Sequence, residues 1–258
     1  MEHKSKELQT AIVAAKLAAT HALTYFDKSE KDLGIELKDN NTPVTIADRE
    51  CEEIIKKHVL SVFPDAKLVR EETGGDIMVD EYWTIDPIDG TRSFSRGVNG
   101  WAILIAYFAD GQYQLGVCYF PVHDELLYAE RGKGAYYNEK RVHVSTVDSV
   151  SKTYFGHGNP KHTTPEQRAA LNRLIDAAGS VRSWEVTYAN FLLAQGKVDI
   201  VFDEYAFPWD VAPYAVIIPE AGGKLTRLDG SPITREGKGY LSTNGLIHDE
   251  IIAILNQK

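Results

Sequence analysis

The chain has 258 residues, which suits one large two-lobed domain or two ordinary domains with a sizeable buried core. Hydrophobic residues make up 43% and charged residues 25%, the composition of a globular protein. The net charge of −9 argues against nonspecific binding to nucleic acid or anionic membranes, because its field repels polyanions. The longest apolar run is too short for a bilayer, and two cysteines are too few for a disulfide framework. We therefore expect a reduced, cytoplasmic protein.

The first half of the chain predicts helices packed on a mostly antiparallel sheet. Apolar residues recur at helical spacing from Ser5 to Asp27 and from Ala47 to Val62. Between these helices, Gly34 to Pro43 predicts a mobile hairpin or loop. Predicted strands follow over residues 82–85, 101–108, 113–120, 125–130, 134–137 and 141–145.

The second half alternates strands with helices, which predicts a layered α/β lobe. Predicted strands lie near residue 154 and over residues 181–184, 198–203, 224–228 and 239–242, and predicted helices over residues 165–178, 188–194 and 249–255. Another helix is expected to begin with Asp210 as its N-cap and to end at Gly222-Gly223. We expect a single two-lobed unit, with an N-terminal α+β lobe over residues 1–145 and a C-terminal α/β lobe over residues 146–258.

The hexapeptide Asp86-Pro87-Ile88-Asp89-Gly90-Thr91, directly after the predicted strand 82–85, has the clearest chemistry. Pro87 stiffens a turn that holds two carboxylates close together, and these repel each other unless one is protonated or a cation lies between them. Oxygen ligands suit Mg²⁺ or Mn²⁺, and the lack of nearby His or Cys argues against zinc. Gly90 allows close approach of a ligand to the backbone. Thr91 is expected to begin a helix, so that the amides of both residues receive a phosphate.

This hexapeptide resembles the signature of the inositol monophosphatase family. The family comprises lithium-sensitive, Mg²⁺-dependent phosphatases and includes histidinol-phosphate and bisphosphate-nucleotide phosphatases. Further segments resemble the family's motifs in order and spacing, namely Pro43-Val44-Thr45-Ile46-Ala47-Asp48, Glu71-Glu72-Thr73, and Trp209-Asp210-Val211-Ala212 followed by Glu220-Ala221-Gly222-Gly223. The resemblance covers nearly the full chain. It implies an alternating α-β-α-β-α sandwich that is commonly a homodimer.

The resemblance also implies two to three Mg²⁺ ions and the residues that hold them. Glu71, Asp86, the Ile88 carbonyl and Thr91 resemble the ligands of the family's first metal site. Asp86, Asp89 and Asp210 resemble those of the second site, and a third, weaker site in the family shares the residue that matches Glu71. It implies that a water activated by the metal attacks the phosphorus, with Glu71 and Thr91 positioning that water and Asp86 as the shared ligand.

The substrate side of the predicted site departs from the family pattern. Asp203 matches an acidic residue that contacts substrate hydroxyls in the family, where a carboxylate suits a polyol or an amine. The segment from Arg182 to Asn190 carries bulky Trp184 and charged Glu185 where the family has glycine and small residues. We therefore expect Asp89, Asp203 and Glu185 to contact the substrate. Arg92-Ser93-Phe94 favours the histidinol-phosphate branch.

Several functions remain open on these residues. The leading hypothesis is an inositol monophosphatase-like hydrolase of a small phosphorylated metabolite, and the alternatives are a histidinol-phosphate phosphatase and a sugar or nucleotide bisphosphate phosphatase. A metal-binding regulatory protein without catalysis is the non-enzymatic alternative, and retention of both Glu71 and Thr91 argues against it. Asp48 either only caps the second helix or supports the site, and Glu72 is expected to be solvated or structural.

Overall fold

The computed structural model describes residues 4–38, 42–235 and 239–257. Its helices are α1 (Lys6–Ala22), α2 (Glu30–Leu33), α3 (Ile46–Val62), α4 (Thr91–Phe94), α5 (Pro165–Ala177), α6 (Val186–Ala194), α7 (Pro208–Val211), α8 (Tyr214–Glu220) and α9 (His248–Leu255). Its strands are β1 (Glu36–Leu37), β2 (Pro43–Val44), β3 (Leu68–Arg70), β4 (Tyr82–Asp89), β5 (Ala102–Ala109), β6 (Gln112–Phe120), β7 (Glu125–Glu130), β8 (Ala135–Tyr137), β9 (Lys140–Val142), β10 (Tyr154–His157), β11 (Ser180–Ser183), β12 (Ile200–Asp203), β13 (Lys224–Thr226) and β14 (Tyr240–Thr243).

The larger sheet has the order β3-β4-β5-β6-β7-β8-β9. Its strands are antiparallel neighbours except for β3, which pairs parallel with β4. Helices α1 and α3 cover one face of this sheet and share an apolar core with β4, β5 and β6. The buried side of α1 consists mainly of alanines, whose small side chains allow a helix to approach its neighbours closely.

The smaller sheet has the order β11-β10-β12-β14-β13. Helices α5 and α9 pack on its outer face. Helices α6 and α8 lie between the two sheets and contribute to a core shared with strands of both. The layers therefore run α1/α3, larger sheet, α6/α8, smaller sheet, α5/α9, and the predicted alternating α-β-α-β-α sandwich is confirmed.

Most predicted elements are present, with differences at their ends. Helix α1 ends at Ala22 rather than Asp27, and Leu23, the residue directly after it, is 42% exposed. The predicted strand 82–85 continues as β4 to Asp89. No helix in the described ranges is long and apolar enough to cross a membrane.

Two predictions in loop regions need comment. Strands β1 and β2 form an antiparallel pair where a hairpin or loop was predicted, and residues 39–41 of that stretch lie outside the described residues. The prediction that Asp210 is an N-cap is wrong. Two short helices, α7 and α8, replace the single predicted helix, and Asp210 is the third residue of α7. Pro213 lies two residues after the end of α7, where its missing N–H interrupts the helical hydrogen bonds.

Candidate active site

An irregularity in β4 explains how Asp86 and Asp89 face the same side. Side chains alternate along a strand, so residues three apart normally point to opposite faces. Asp86 lies opposite Leu104 of β5, but Asp89 lies opposite Ala102, so β4 has one residue more than its partner in this interval. Such a bulge reorients the following side chain. The sequence Pro-Ile between the two aspartates occupies the bulge, where Pro87 needs no ladder hydrogen bond.

Asp210 completes a cage of three carboxylates with Asp86 and Asp89. One oxygen of each side chain lies within 4.8 Å of the others. The Asp210 carboxylate is oriented by the backbone N–H of Phe207, which donates to it at 2.8 Å. Asp86 is almost fully buried, and its carboxylate accepts from the backbone N–H of Ile88 at 3.1 Å.

The cage is strongly electronegative. Burial, followed by the charge of Glu71, raises the pKa of Asp86 well above its ordinary value, and burial and the charge of Asp89 do the same for Asp210. Burial and the charges of Glu185 and Glu71 raise the pKa of Asp89 to about 8. A divalent cation would relieve this repulsion, and a set of carboxylate oxygens matches the preference of Mg²⁺ or Mn²⁺. The residues present therefore fit the metal that the resemblance implies.

Glu71 lies beside the cage and is held from several sides. Its charge raises the pKa of Asp86, and its backbone N–H donates to the Ile85 carbonyl at 3.0 Å. The Lys38 ammonium lies 2.8 Å from a Glu71 oxygen and 2.7 Å from a Glu72 oxygen. The Glu72 side chain is only 5% exposed, so of its two predicted roles the structural one fits and the solvated one is wrong.

Buried Glu52 of α3 fixes the segment that carries Glu71. Its carboxylate accepts from the backbone N–H of Glu72 at 2.9 Å and from the Thr73 hydroxyl at 2.5 Å. These contacts anchor both residues that follow Glu71 to a helix of the core. The position of Glu71 therefore depends on α3 as well as on β4.

Thr91 and Asp48 form a second arrangement next to the signature. Thr45 is the N-cap of α3 and exchanges hydrogen bonds with Asp48, so Asp48 belongs to a capping box. The other Asp48 oxygen accepts from the Thr91 hydroxyl at 3.0 Å, and the Ile88 carbonyl is also 3.0 Å from that hydroxyl. Burial raises the pKa of Asp48 to about 6. Asp48 thus combines the two roles that the sequence left as alternatives, since it closes the helix end and touches a site residue.

Gly90 turns the chain from β4 into α4. Its φ of 86° lies in the left-handed region, which favours glycine. A Cβ at this position would lie 3.3 Å from the Trp101 backbone, so a larger residue is also crowded. The helix that Thr91 was predicted to begin has only four residues.

Glu185 and Asp203 lie close enough to Asp89 for the charges of both to raise the pKa of Asp89. The Ser93 hydroxyl of α4 donates to Glu185. Asp203, at the end of β12, accepts from the backbone N–H of Tyr205 at 2.9 Å, and burial raises its pKa to about 6. The two predicted substrate carboxylates are thus both brought near Asp89 of the cage.

Sequence reasoning gave no role in the site to Lys38 or Glu52 and did not predict the contact of Ser93 with Glu185. Lys38 lies in the predicted loop before Pro43, and Glu52 lies within a helix whose apolar periodicity hides a buried acid. Each side chain contacts a residue that is distant in sequence, and a local sequence pattern does not reveal such a contact. Only Ser93 could have been suspected from the sequence, because it lies two residues after the signature.

The chain was compared with known proteins. The model of the inositol monophosphatase family matches residues 4–258. A histidinol-phosphatase of Chlorobaculum parvum is 36% identical over 96% of this chain and 96% of that protein. A fructose-1,6-bisphosphatase/inositol-1-monophosphatase of Thermotoga maritima is 35% identical over 83% of this chain and 82% of that protein.

The solved structures agree with these relatives. An inositol monophosphatase from Thermotoga maritima superposes with a TM-score of 0.88 at 29% identity, covering 98% of this chain and 97% of that one. Sequence, fold and relatives therefore lead to one conclusion: the chain belongs to the inositol monophosphatase family and is a phosphatase.

Proposed function

We propose that Asp86, Asp89 and Asp210 bind Mg²⁺ together with Glu71 and the Ile88 carbonyl, and that the enzyme hydrolyses a small phosphate monoester there. The observation that carries this proposal is the meeting of three carboxylate oxygens within 4.8 Å of one another. Bound Mg²⁺ would offset the charge of the phosphate and promote ionisation of a neighbouring water. Mn²⁺ satisfies the same ligands.

The chain's own residues would orient the reacting groups. The Thr91 hydroxyl donates its single hydrogen to Asp48, which leaves its oxygen to accept a hydrogen from the attacking water. Glu71, fixed by its neighbours, would orient that water from the other side. The backbone N–H groups of Gly90 and Thr91 would receive phosphate oxygens. Water attacks phosphorus, the ester oxygen leaves, and the products are inorganic phosphate and an alcohol.

The substrate proposal rests on Glu185 and Asp203. Two carboxylates beyond those of the cage favour an alcohol that carries a positive charge, because they attract an ammonium or imidazolium group and repel a second phosphate. The relative named histidinol-phosphatase, 36% identical, supports histidinol phosphate as the leading candidate. A polyol phosphate is the second candidate, since carboxylates also accept from hydroxyls and a relative named inositol-1-monophosphatase is 35% identical.

A substrate panel tests both parts of the proposal. We expect phosphate release from histidinol phosphate to exceed that from inositol 1-phosphate, fructose 1,6-bisphosphate and adenosine 3′,5′-bisphosphate, and to stop when a chelator removes Mg²⁺. Asp89→Asn and Asp210→Asn should each lower kcat at least 100-fold, because each removes a cage charge. Near-normal activity of either variant would contradict the assignment of the cage. Faster release from inositol 1-phosphate would reverse the order of the two substrates.

Asp203→Asn and Glu185→Gln separate recognition from chemistry. Both should raise KM for histidinol phosphate at least tenfold and change KM for p-nitrophenyl phosphate less than twofold, because only the first substrate carries a cation. Ser93→Ala should have a smaller effect in the same direction, since it only releases Glu185. Equal effects on both substrates would remove these carboxylates from the substrate pocket.

The family resemblance supports three further proposals, namely a homodimer, two to three Mg²⁺ ions per chain and inhibition by Li⁺. Light scattering measures the mass in solution, calorimetric titration of the chelated protein counts the ions, and a Li⁺ titration of phosphate release measures inhibition.

A further inference from the structure

Behind Asp89 lies a group of buried hydroxyl and thiol side chains from three elements. Thr187 is on α6, Tyr214 is the first residue of α8 and Cys118 is on β6. Their exposed fractions are 3%, 0% and 0%, respectively. The Thr187 hydroxyl hydrogen-bonds with both the Asp89 carboxylate and the Tyr214 hydroxyl. The Tyr214 oxygen lies 3.2 Å from Cys118 Sγ and 3.0 Å from the Thr187 carbonyl.

The number of available hydrogens fixes the direction of these hydrogen bonds. An ionised carboxylate only accepts, so Thr187 must give its single hydrogen to Asp89 when Asp89 is charged. In the contact between Thr187 and Tyr214, the tyrosine must then be the donor. Its hydrogen points towards Thr187, whose hydroxyl and carbonyl oxygens both lie on that side. Cys118 Sγ, 3.2 Å from the Tyr214 oxygen, is a further and weaker acceptor for the Tyr214 hydroxyl.

The resulting chain of hydrogen bonds runs in one direction, from Tyr214 through Thr187 to Asp89. Each donor in such a chain polarises the next, so the final bond to the carboxylate is stronger than an isolated one. Burial keeps water from replacing any member. The chain also restricts rotation of the Asp89 side chain and so fixes the direction of its free oxygen.

We propose that Thr187, supported by Tyr214, is a positioning residue that holds Asp89 in its cation-binding orientation. The inference rests on the proposed role of Asp89 as a cation ligand. Groups behind the ligands of metal sites typically change metal affinity 10–100-fold when removed. A buried threonine with a purely structural role would change stability and leave cation affinity unaltered.

The test measures Mg²⁺ binding in the absence of substrate, by calorimetric titration and by the Mg²⁺-dependent rise in melting temperature. Thr187→Val keeps the shape and removes the hydroxyl, and we expect the Mg²⁺ dissociation constant to rise about tenfold. Thr187→Ser keeps a hydroxyl at this position, and its Mg²⁺ dissociation constant should lie within threefold of the wild-type value. Tyr214→Phe removes the hydroxyl that donates to Thr187, and its Mg²⁺ dissociation constant should be about threefold higher than that of wild type.

Thr153→Val is a matched control. Thr153 is 1% exposed, and its hydroxyl donates to the Val150 carbonyl at 2.7 Å, in a chain segment that contributes no residue to the cage. This variant should lower the melting temperature and leave the Mg²⁺ dissociation constant unchanged. Should Thr187→Val fail to fold, Tyr214→Phe and Thr187→Ser still decide the question.

The outcomes separate this inference from the proposed function. If wild type binds Mg²⁺, Asp89→Asn weakens binding, and Thr187→Val or Tyr214→Phe binds like wild type, only the positioning role is wrong. If Asp89→Asn binds Mg²⁺ as tightly as wild type, the proposed cage itself is wrong. A tenfold loss in Thr187→Val that Thr187→Ser does not restore would assign the effect to packing and also overturn the inference.

Discussion

The Thr91 hydroxyl has one hydrogen and two acceptors at 3.0 Å, the Asp48 carboxylate and the Ile88 carbonyl. A charged acceptor forms the stronger hydrogen bond, so ionised Asp48 takes that hydrogen. The Ile88 carbonyl is then available to a cation, as the family resemblance implies. One proton position therefore decides whether the signature loop offers its carbonyl to the metal.

This arrangement predicts a selective defect in Asp48→Asn. An amide can present its N–H₂ group to Thr91, and the threonine hydrogen then turns to the Ile88 carbonyl. We expect kcat to fall at least tenfold while KM for the phosphate substrate changes less than threefold, as measured by steady-state phosphate release. Thr45→Ser, which keeps the hydroxyl beside Asp48, is the matched control and should retain most activity. Wild-type kcat in Asp48→Asn would restrict Asp48 to its role in the helix cap.

The sequence predicted individual site residues best where several of them are adjacent in the chain. The signature hexapeptide identifies Asp86, Asp89 and Thr91 because the residues are adjacent and of unusual composition. The role proposed for Thr187 and Tyr214 could not be found in this way, since it depends on the packing of α6 against α8. A threonine in an apolar helix is typical of a core position, and nothing local distinguishes it.

At the scale of elements, His248 joins α9 to the smaller sheet. The Thr226 hydroxyl donates to the Arg227 carbonyl at 2.8 Å, so it must accept from His248 Nε2, 3.0 Å away. Thr243, at 2.9 Å, donates to Nδ1. Both ring nitrogens are thus satisfied in the neutral imidazole, and protonation of Nδ1 would lose the Thr243 donor. Burial, and then the charge of Lys224, lowers the pKa of His248 to about 4.

His248 therefore predicts a loss of stability in acid. The unfolded chain binds a proton at His248 below its ordinary pKa of about 6.5, whereas the folded protein does so only near pH 4. Between these values the proton favours the unfolded state, and the cost reaches on the order of 2 kcal/mol at pH 4.5. Urea unfolding of wild type and His248→Gln at pH 7 and pH 4.5 measures this loss of stability. The contributions of the other titrating groups are the same in both proteins and cancel in the difference between their free energies of unfolding.

The matched control is His58→Gln, which replaces a partly exposed histidine on α3. His58→Gln should lose as much unfolding free energy between pH 7 and pH 4.5 as wild type does, whereas His248→Gln should lose about 2 kcal/mol less. An identical pH dependence in wild type and His248→Gln would contradict the assignment of a neutral, doubly bonded imidazole.

The starts of two helices were predicted to within one residue. Helix α5 begins at Pro165 as predicted, and α3 begins at Ile46, one residue before the predicted start, with Thr45 as its N-cap. Asp210 misled the prediction because an aspartate in the first turn of a helix and an N-cap look alike in sequence. Only the fold shows that the Asp210 carboxylate reaches back to Phe207 from within α7.

For the whole molecule, the cage opposes folding when no cation neutralises it. The raised pKa values of Asp86, Asp89 and Asp210 mean that the folded state without metal binds more protons than the unfolded chain above pH 4. Stability of the chelated protein should therefore fall as the pH rises from 6 towards 9. Excess Mg²⁺ should remove this trend, because it replaces the protons.

Calorimetric melting with chelator and with Mg²⁺ checks this prediction. At a free Mg²⁺ concentration 100-fold above the dissociation constant, binding adds about 2.7 kcal/mol, which corresponds to a rise in Tm of roughly 5–10 °C for a chain of this size. Asp89→Asn is the matched variant. With one repelling charge removed, it should melt higher than wild type in chelator at pH 8 and gain less from Mg²⁺. A chelated wild type that is equally stable at pH 6 and pH 9 would contradict the electrostatic account.

Strand patterns predicted an antiparallel sheet in the first half and a layered α/β lobe in the second, whereas the order of the five layers was implied by the family resemblance. The placement of α6 and α8 between the sheets depends on both halves. No periodicity within α6 indicates that it is covered on two sides, other than its high apolar content.

The distribution of the cage along the chain has a consequence for biosynthesis. Asp86 and Asp89 leave the ribosome early, whereas Asp210 is made more than 120 residues later. A growing chain can complete β4 and the larger sheet, yet it holds two of the three carboxylates until α7 emerges. A chain that stops before position 210 would carry the whole hexapeptide signature and still lack the third oxygen. Binding of a cation by all three carboxylates would therefore be a late step of maturation, possible only in a chain that has been translated and folded past α7.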